Sequence, residues 1–344
     1  MNLSYRNLAI VSIVVIVIIG LIETVVKIGG DGNLLLLLSF WSALIQGPVA
    51  VAAAAEVSRG KWAQPMKREL LAFYPLILFV ALLFLFISFQ MDIYKWTEIQ
   101  HRWLNKSFFI SRNFVLLLLS FFVAHLFARA SLQQKKSSQL VAVLYLFVFV
   151  ISQSLIAVDW IMSLEYPWMS TMFPAIYFME SFYVGLAILA LMAVVTLRQK
   201  LGNKVEVKKV MRDAALFMFG FALAWAGLYY GQFLVIWYGN IPWETSFFGI
   251  RMEYSPFKEM MTLIIVILFI VPFVGLISRK AKESIAVVSF VSILVLIGLL
   301  IERLFYILPV LPLNAFWLVI EFILMSAIFW LFFKNREQVL RIDK

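Results

Sequence analysis

Among the ionisable side chains within or at the ends of long apolar runs of this sequence are Asp159, Glu180, Glu302, Glu321 and His125. Carboxylates and imidazoles take up and release protons, and acids held at successive depths of a membrane are the pattern of a proton relay. Glu180 is about ten residues into its run, so roughly 15 Å deep, with Tyr177 and Tyr183 three residues to either side on the same face. Glu321 is expected at similar depth, with Asn314 on its face. Glu302 and Arg303 fall about six residues from the end of their run, roughly 10 Å in. As sequence neighbours they point in different directions, so each needs a partner on another helix. His125 lies one turn before Arg129 near the opposite end. The competing reading makes all of these inter-helix hydrogen bonds that fix packing. Glu23 with Lys27 one turn later, and Glu56 beside a basic loop, are expected to form local ion pairs.

The runs that hold these groups define the class of protein. Hydrophobic residues make up 64% of the chain and mean hydropathy is +0.97. Ten stretches are long enough to cross a bilayer core, which takes about 20 apolar residues. They cover approximately 8–28, 33–56, 69–90, 110–130, 139–160, 171–197, 212–238, 257–278, 283–308 and 312–334. The expectation is an all-α integral membrane protein in a single polytopic domain over residues 1–344. Membrane β-strands would alternate over about ten residues and are excluded. The first run lacks a small-residue cleavage site and is read as a retained span. Gly47-Pro48 should interrupt span two, and Pro272 should kink span eight.

Net charge is +10, but its distribution does not suit nucleic acid. Alternate connections collect most of the Lys and Arg, including Arg59, Lys61, Lys67, Lys135, Lys136 and the 198–212 segment. By the positive-inside rule both termini are expected in the cytoplasm, with the connection between spans five and six outside. The outer connections are aromatic, and Trp103, Trp168, Trp237 and Trp243 with Arg112 are candidates for docking a partner protein. With no cysteine and two histidines, His101 and His125, near opposite faces, thiolate-held clusters and a bis-histidine haem are excluded. No metal site is expected, and the chain has no nucleotide-binding glycine loop.

The stretch VDWIMSLEYPW at 158–168, followed by STMF, resembles a signature of the F subunit of alternative complex III. That subunit is an NrfD-like (polysulfide-reductase-like) membrane protein of a bacterial quinol:electron-acceptor oxidoreductase. Trp103 to Phe109 leading to Arg112, Gln232 to Thr245, and Trp62 with Arg68-Glu69 are similar to the same family. The resemblance implies two four-helix bundles, spans two to five and six to nine, flanked by spans one and ten. It implies a place in the bacterial inner membrane and, as partners, a sister NrfD-like membrane subunit, multihaem and monohaem cytochrome c subunits, an extracytoplasmic iron–sulfur subunit and lipid. Where the sister subunit carries a histidine, six residues before the matching Asp, this chain has Gln153, which cannot exchange protons near neutrality. The expectation is therefore a non-redox subunit that anchors partners and conducts protons. One alternative is a quinone site around Asp159, Gln153 and Tyr166. Another, from the midplane acids and broken helices, is a secondary transporter.

Overall fold

Backbone polar groups in hydrocarbon must be satisfied within the segment itself, which turns long apolar runs into helices. The computed structural model describes residues 5–26, 31–99, 102–199 and 203–340. Among these residues there is no strand, and ten helical stretches are long and apolar enough to cross a membrane. They are Arg6–Val26, Asn33–Val57, Gln64–Phe89, Lys106–Leu132, Ser138–Glu165, Phe173–Arg198, Lys204–Gly239, Phe257–Gly275, Ile285–Ile307 and Ala315–Lys334. Each matches an expected run, numbered here as spans one to ten. The largest difference is the start of span seven, expected near 212. The Asn203 side chain accepts a hydrogen bond from the Val205 N–H, capping two further turns of polar helix.

Span two is apolar along nearly its whole length and is buried on every side, as a helix without a polar face must be. It packs on spans three, four and five, and also on spans six, nine and ten. Spans four and five pair, as do six and seven, and span nine packs on both six and eight. Span one lies against spans three and ten. Where spans two and six cross, a Cβ on Gly47 would stand 2.1 Å from the Ser181 carbonyl oxygen, and one on Gly185 2.4 Å from the Gly47 backbone. Only glycine at both positions permits this approach. The expected interruption at Gly47-Pro48 does not occur: the helix runs unbroken from Asn33 to Val57 with Pro48 inside it. Neighbouring helices on all sides hold its course through the missing backbone bond.

Irregular turns lie elsewhere. Span three breaks between Leu71 and Leu76, because Pro75 has no N–H and disfavours helix at Tyr74. Span eight widens into a π turn at Val266–Ile270 just before Pro272, so the expected irregularity is present. The Tyr183 hydroxyl reaches the Leu268 carbonyl, 3.4 Å away, whose normal helical donor position is occupied by Pro272. Two further π turns, Ile22–Val26 and Ala157–Ile161, carry Glu23 and Asp159.

Candidate functional site

The π turn at the end of span five holds Asp159, which is fully buried. An extra residue in a helical turn re-aims the side chains around it, and such turns recur where a side chain needs an exceptional direction. Arg112, near the start of span four, meets the carboxylate as a two-pronged fork. Its Nε donates to Oδ2 and its Nη2 to Oδ1, both at 2.7 Å. Asn113 adds a third donor, Nδ2 to Oδ2 at 2.6 Å, and its own Oδ1 accepts from Trp160 Nε1 at 3.0 Å. The Arg112 guanidinium also donates to the Trp103 carbonyl and lies 4.4 Å from the Trp103 ring centroid. Tyr94 and Trp96, from the connection before span four, complete the shell by donating to the Trp160 carbonyl and to Ser163 Oγ, each at 3.1 Å.

The second acid of the stretch, Glu165, is held by another arginine. Arg251, on the short helix Pro242–Glu253 between spans seven and eight, donates to both Glu165 oxygens. It also donates to the carbonyls of Phe247, Phe305 and Tyr306, and its guanidinium lies 3.8 Å from the Phe247 ring centroid. Trp168 stacks on the same Phe247 ring, with centroids 3.9 Å apart and planes 5° from parallel. One eleven-residue stretch is thereby fastened to span four by its first acid and to the 242–253 helix by its second.

A third cluster lies inside the membrane-spanning part. Arg303 Nη1 stands 2.8 Å from Glu180 Oε2 and 3.6 Å from Glu302 Oε2, and all three side chains are fully buried. Tyr306 donates to Glu302 Oε1 at 2.9 Å, and the Tyr177 ring centroid lies 3.8 Å from the Arg303 guanidinium. Glu180 and Glu302 were expected at different depths. Span six starts at Phe173 and span nine ends at Ile307, so the two acids lie seven and five residues in, roughly 10 and 8 Å from the same end. Glu321 is six residues from the start of span ten, about 9 Å from that end. The expected descending series of acids is instead a single layer near the end that carries the aromatic connections. Glu302 and Arg303 were also expected to find partners on separate helices. Arg303 does, on span six, and Glu302 meets Glu180 on that span while also accepting from Tyr306 one turn on in its own helix.

Towards the lysine-rich end several buried or half-buried polar groups are uncharged. Ser181 donates to Gln153 Oε1 at 3.0 Å, and Ser120 donates to Gln46 Oε1 at 2.9 Å. His125 Nδ1 and the Tyr74 hydroxyl are 3.0 Å apart, across the break made by Pro75. At the lysine-rich end, Glu56 takes bonds from Lys67, Ser131 and Ser138, which is the local pairing expected of it. Gln46 Nε2, Gln153 Nε2 and the Tyr229 hydroxyl are buried with no protein hydrogen-bond partner.

Several expected roles change. Arg112 turns inward to Asp159 with its side chain only 8% exposed, and Trp168 is buried, so neither is available to dock a partner. Trp103, Trp237 and Trp243 are more than half exposed. Asn314 caps span ten and exchanges hydrogen bonds with Asn33, so it acts at the helix end and not beside Glu321. Tyr183 serves Leu268 rather than Glu180. Glu23 accepts from Gln90 Nε2 at 2.8 Å; Lys27 and His101 lie outside the described residues. The oxygens of the buried Asp159 already take three charge-assisted bonds, from Arg112 and Asn113. The bonds of Gln153 run to Ser181 on the neighbouring span. Sequence reasoning missed Arg251 and Asn113 altogether. The run 242–253 carried one signal, a lone arginine three residues after a Phe-Phe pair.

No protein-family model matches this chain, and no characterised protein matches it in sequence.

Proposed function

We propose that this chain is a non-redox integral membrane subunit of alternative complex III, in the bacterial inner membrane with both termini cytoplasmic. It anchors a sister NrfD-like subunit, cytochrome c subunits and an extracytoplasmic iron–sulfur subunit, and conducts protons. The motifs at 103–112, 158–173 and 232–245 support the family reading. The pairwise packing of spans two to five and of six to nine is what two four-helix bundles would give.

The observation that carries the proton reading is the fully buried Glu180–Arg303–Glu302 cluster. A structural ion pair needs one carboxylate for one guanidinium. Here a second buried carboxylate shares the same arginine, so the cluster can hold an extra proton without leaving an unpaired charge. Below it, Gln153 with Ser181, Gln46 with Ser120, and His125 with Tyr74 supply polar groups towards the lysine-rich end. The unpartnered amides of Gln46 and Gln153 are groups that a carried water would satisfy. The saturated Asp159 favours this reading over a quinone site in this chain.

The test has two parts. Affinity purification of the tagged chain from its native membrane should bring down multihaem cytochrome and iron–sulfur subunits, and their absence refutes the assignment. In the assembled complex, Glu180→Gln and Glu302→Gln should each keep quinol oxidation while reducing proton translocation. Unchanged translocation in the double variant refutes the proton role and leaves the anchoring role standing.

A further inference from the structure

A cleft of about 330 Å³ opens at the lysine-rich end between the connections that join spans two to three and four to five. Its walls carry five cations, Arg59, Lys61, Lys67, Lys135 and Lys136, against a single carboxylate, Glu56. Lys67 is already committed to that carboxylate at 2.7 Å, which also accepts from Ser131 and Ser138. Lys61, Lys135 and Lys136 are exposed, and among the described residues none makes an ion pair. Like charges left facing one space repel, and an arrangement of this kind is stabilised by an anion between them.

The cleft is also built rather than incidental. Gln139 donates to the Val57 carbonyl at 2.9 Å and accepts from Arg59 Nη2 at 3.4 Å, tying the start of span five to the end of span two. Ala52, Ala55 and Ala63 form an apolar floor. Glu56, Lys67 and Ser138 stand at the ends of three spans, which puts the opening at the level where a bilayer changes from acyl chain to headgroup. Basic pockets between membrane helices at this level take phosphate headgroups.

We propose that this cleft is a binding site for a phosphate-bearing anion, with Lys61, Lys135 and Lys136 as its recognition residues and Arg59 as a fourth donor. The inference is independent of which complex the chain serves. The two sources of that chemistry are an anionic phospholipid headgroup and a free phosphate compound. The chain in nanodiscs of phosphatidylcholine would be titrated with phosphatidylglycerol, and separately with inorganic pyrophosphate, and bound ligand counted by native mass spectrometry. The cleft variant is Lys61→Gln, Lys135→Gln, Lys136→Gln. The control, Arg198→Gln, Lys204→Gln, Lys280→Gln, removes equal charge from exposed positions at the same end. The expected result is specific binding that weakens about tenfold or more in the cleft variant and little in the control. Retention of phosphatidylglycerol alone identifies a lipid site, and retention of pyrophosphate alone a soluble-anion site; either supports the proposal. Equal loss in both variants would reduce the effect to surface charge and overturn it, as would no binding of either ligand.

Discussion

Asp159 and Arg112 form a buried pair whose value lies in being complete. Bringing both charges out of water is costly, and the fork plus Asn113 offsets that cost only while every member is present. Removing one partner strands the other. Arg112→Gln and Asp159→Asn should each cost about 3–5 kcal/mol, with the double variant costing clearly less than their sum. Thermal unfolding in detergent would measure this cycle, and additive losses would argue against the pair. Tyr94 gives a second test at the same spot. Burial first, and the Asp159 charge second, push its phenol well above the ordinary 10.0. A raised folded value means the stabilising contribution is intact below pH 10 and falls as the unfolded phenol ionises above it. Tyr94→Phe should therefore flatten the alkaline fall of the melting temperature by roughly one proton's worth, alongside a constant loss from its missing bond to Trp160. An unchanged slope would contradict the assignment.

Elements here are joined by close backbone approach and by breaks that free polar groups. The Gly47–Gly185 crossing is the tightest of these, and it brings Ser181 and Gln46 to the same level between the two sets of helices. Gly185→Ala should force spans two and six apart and cost about 1–3 kcal/mol. Gly227→Ala, where a new Cβ meets nothing within 4 Å, should be neutral or stabilise by up to about 1 kcal/mol. Comparing the two melting temperatures tests whether the crossing or helix propensity dominates. The ten spans were legible because hydropathy over about 20 residues fixes a helix without reference to any other part of the chain. Their irregular turns were only partly legible. Pro272 announces one, but the π turn at Asp159 has no proline, and Pro48 lies inside an unbroken helix whereas Pro75 stands at a break.

Across the whole molecule, two arginines from distant segments bolt the 158–168 stretch in place, and the buried acids gather in one layer near that end. Lysine and arginine collect at the other. If this asymmetry sets orientation, reporter fusions at either terminus should be active only in the cytoplasm, and a fusion within 94–105 only outside it. The reverse pattern would exchange the two faces. The exposed Trp103, Trp237 and Trp243 then face the extracytoplasmic side, where the proposed partners would sit.

The sequence by itself determined the class of protein, the number and extent of its spans, the charge asymmetry between its ends, and the burial of Glu180, Glu302 and Glu321. Each of these depends on local composition, which the solvent reads segment by segment. The tertiary structure decided what those groups do to one another. Arg112, 47 residues before Asp159, and Arg303, 123 residues after Glu180, become partners only when helices pack. Electrostatic pairing acts over a few ångströms in space and carries no trace along the chain, so Asp159 could be named from sequence but its neutralisation could not.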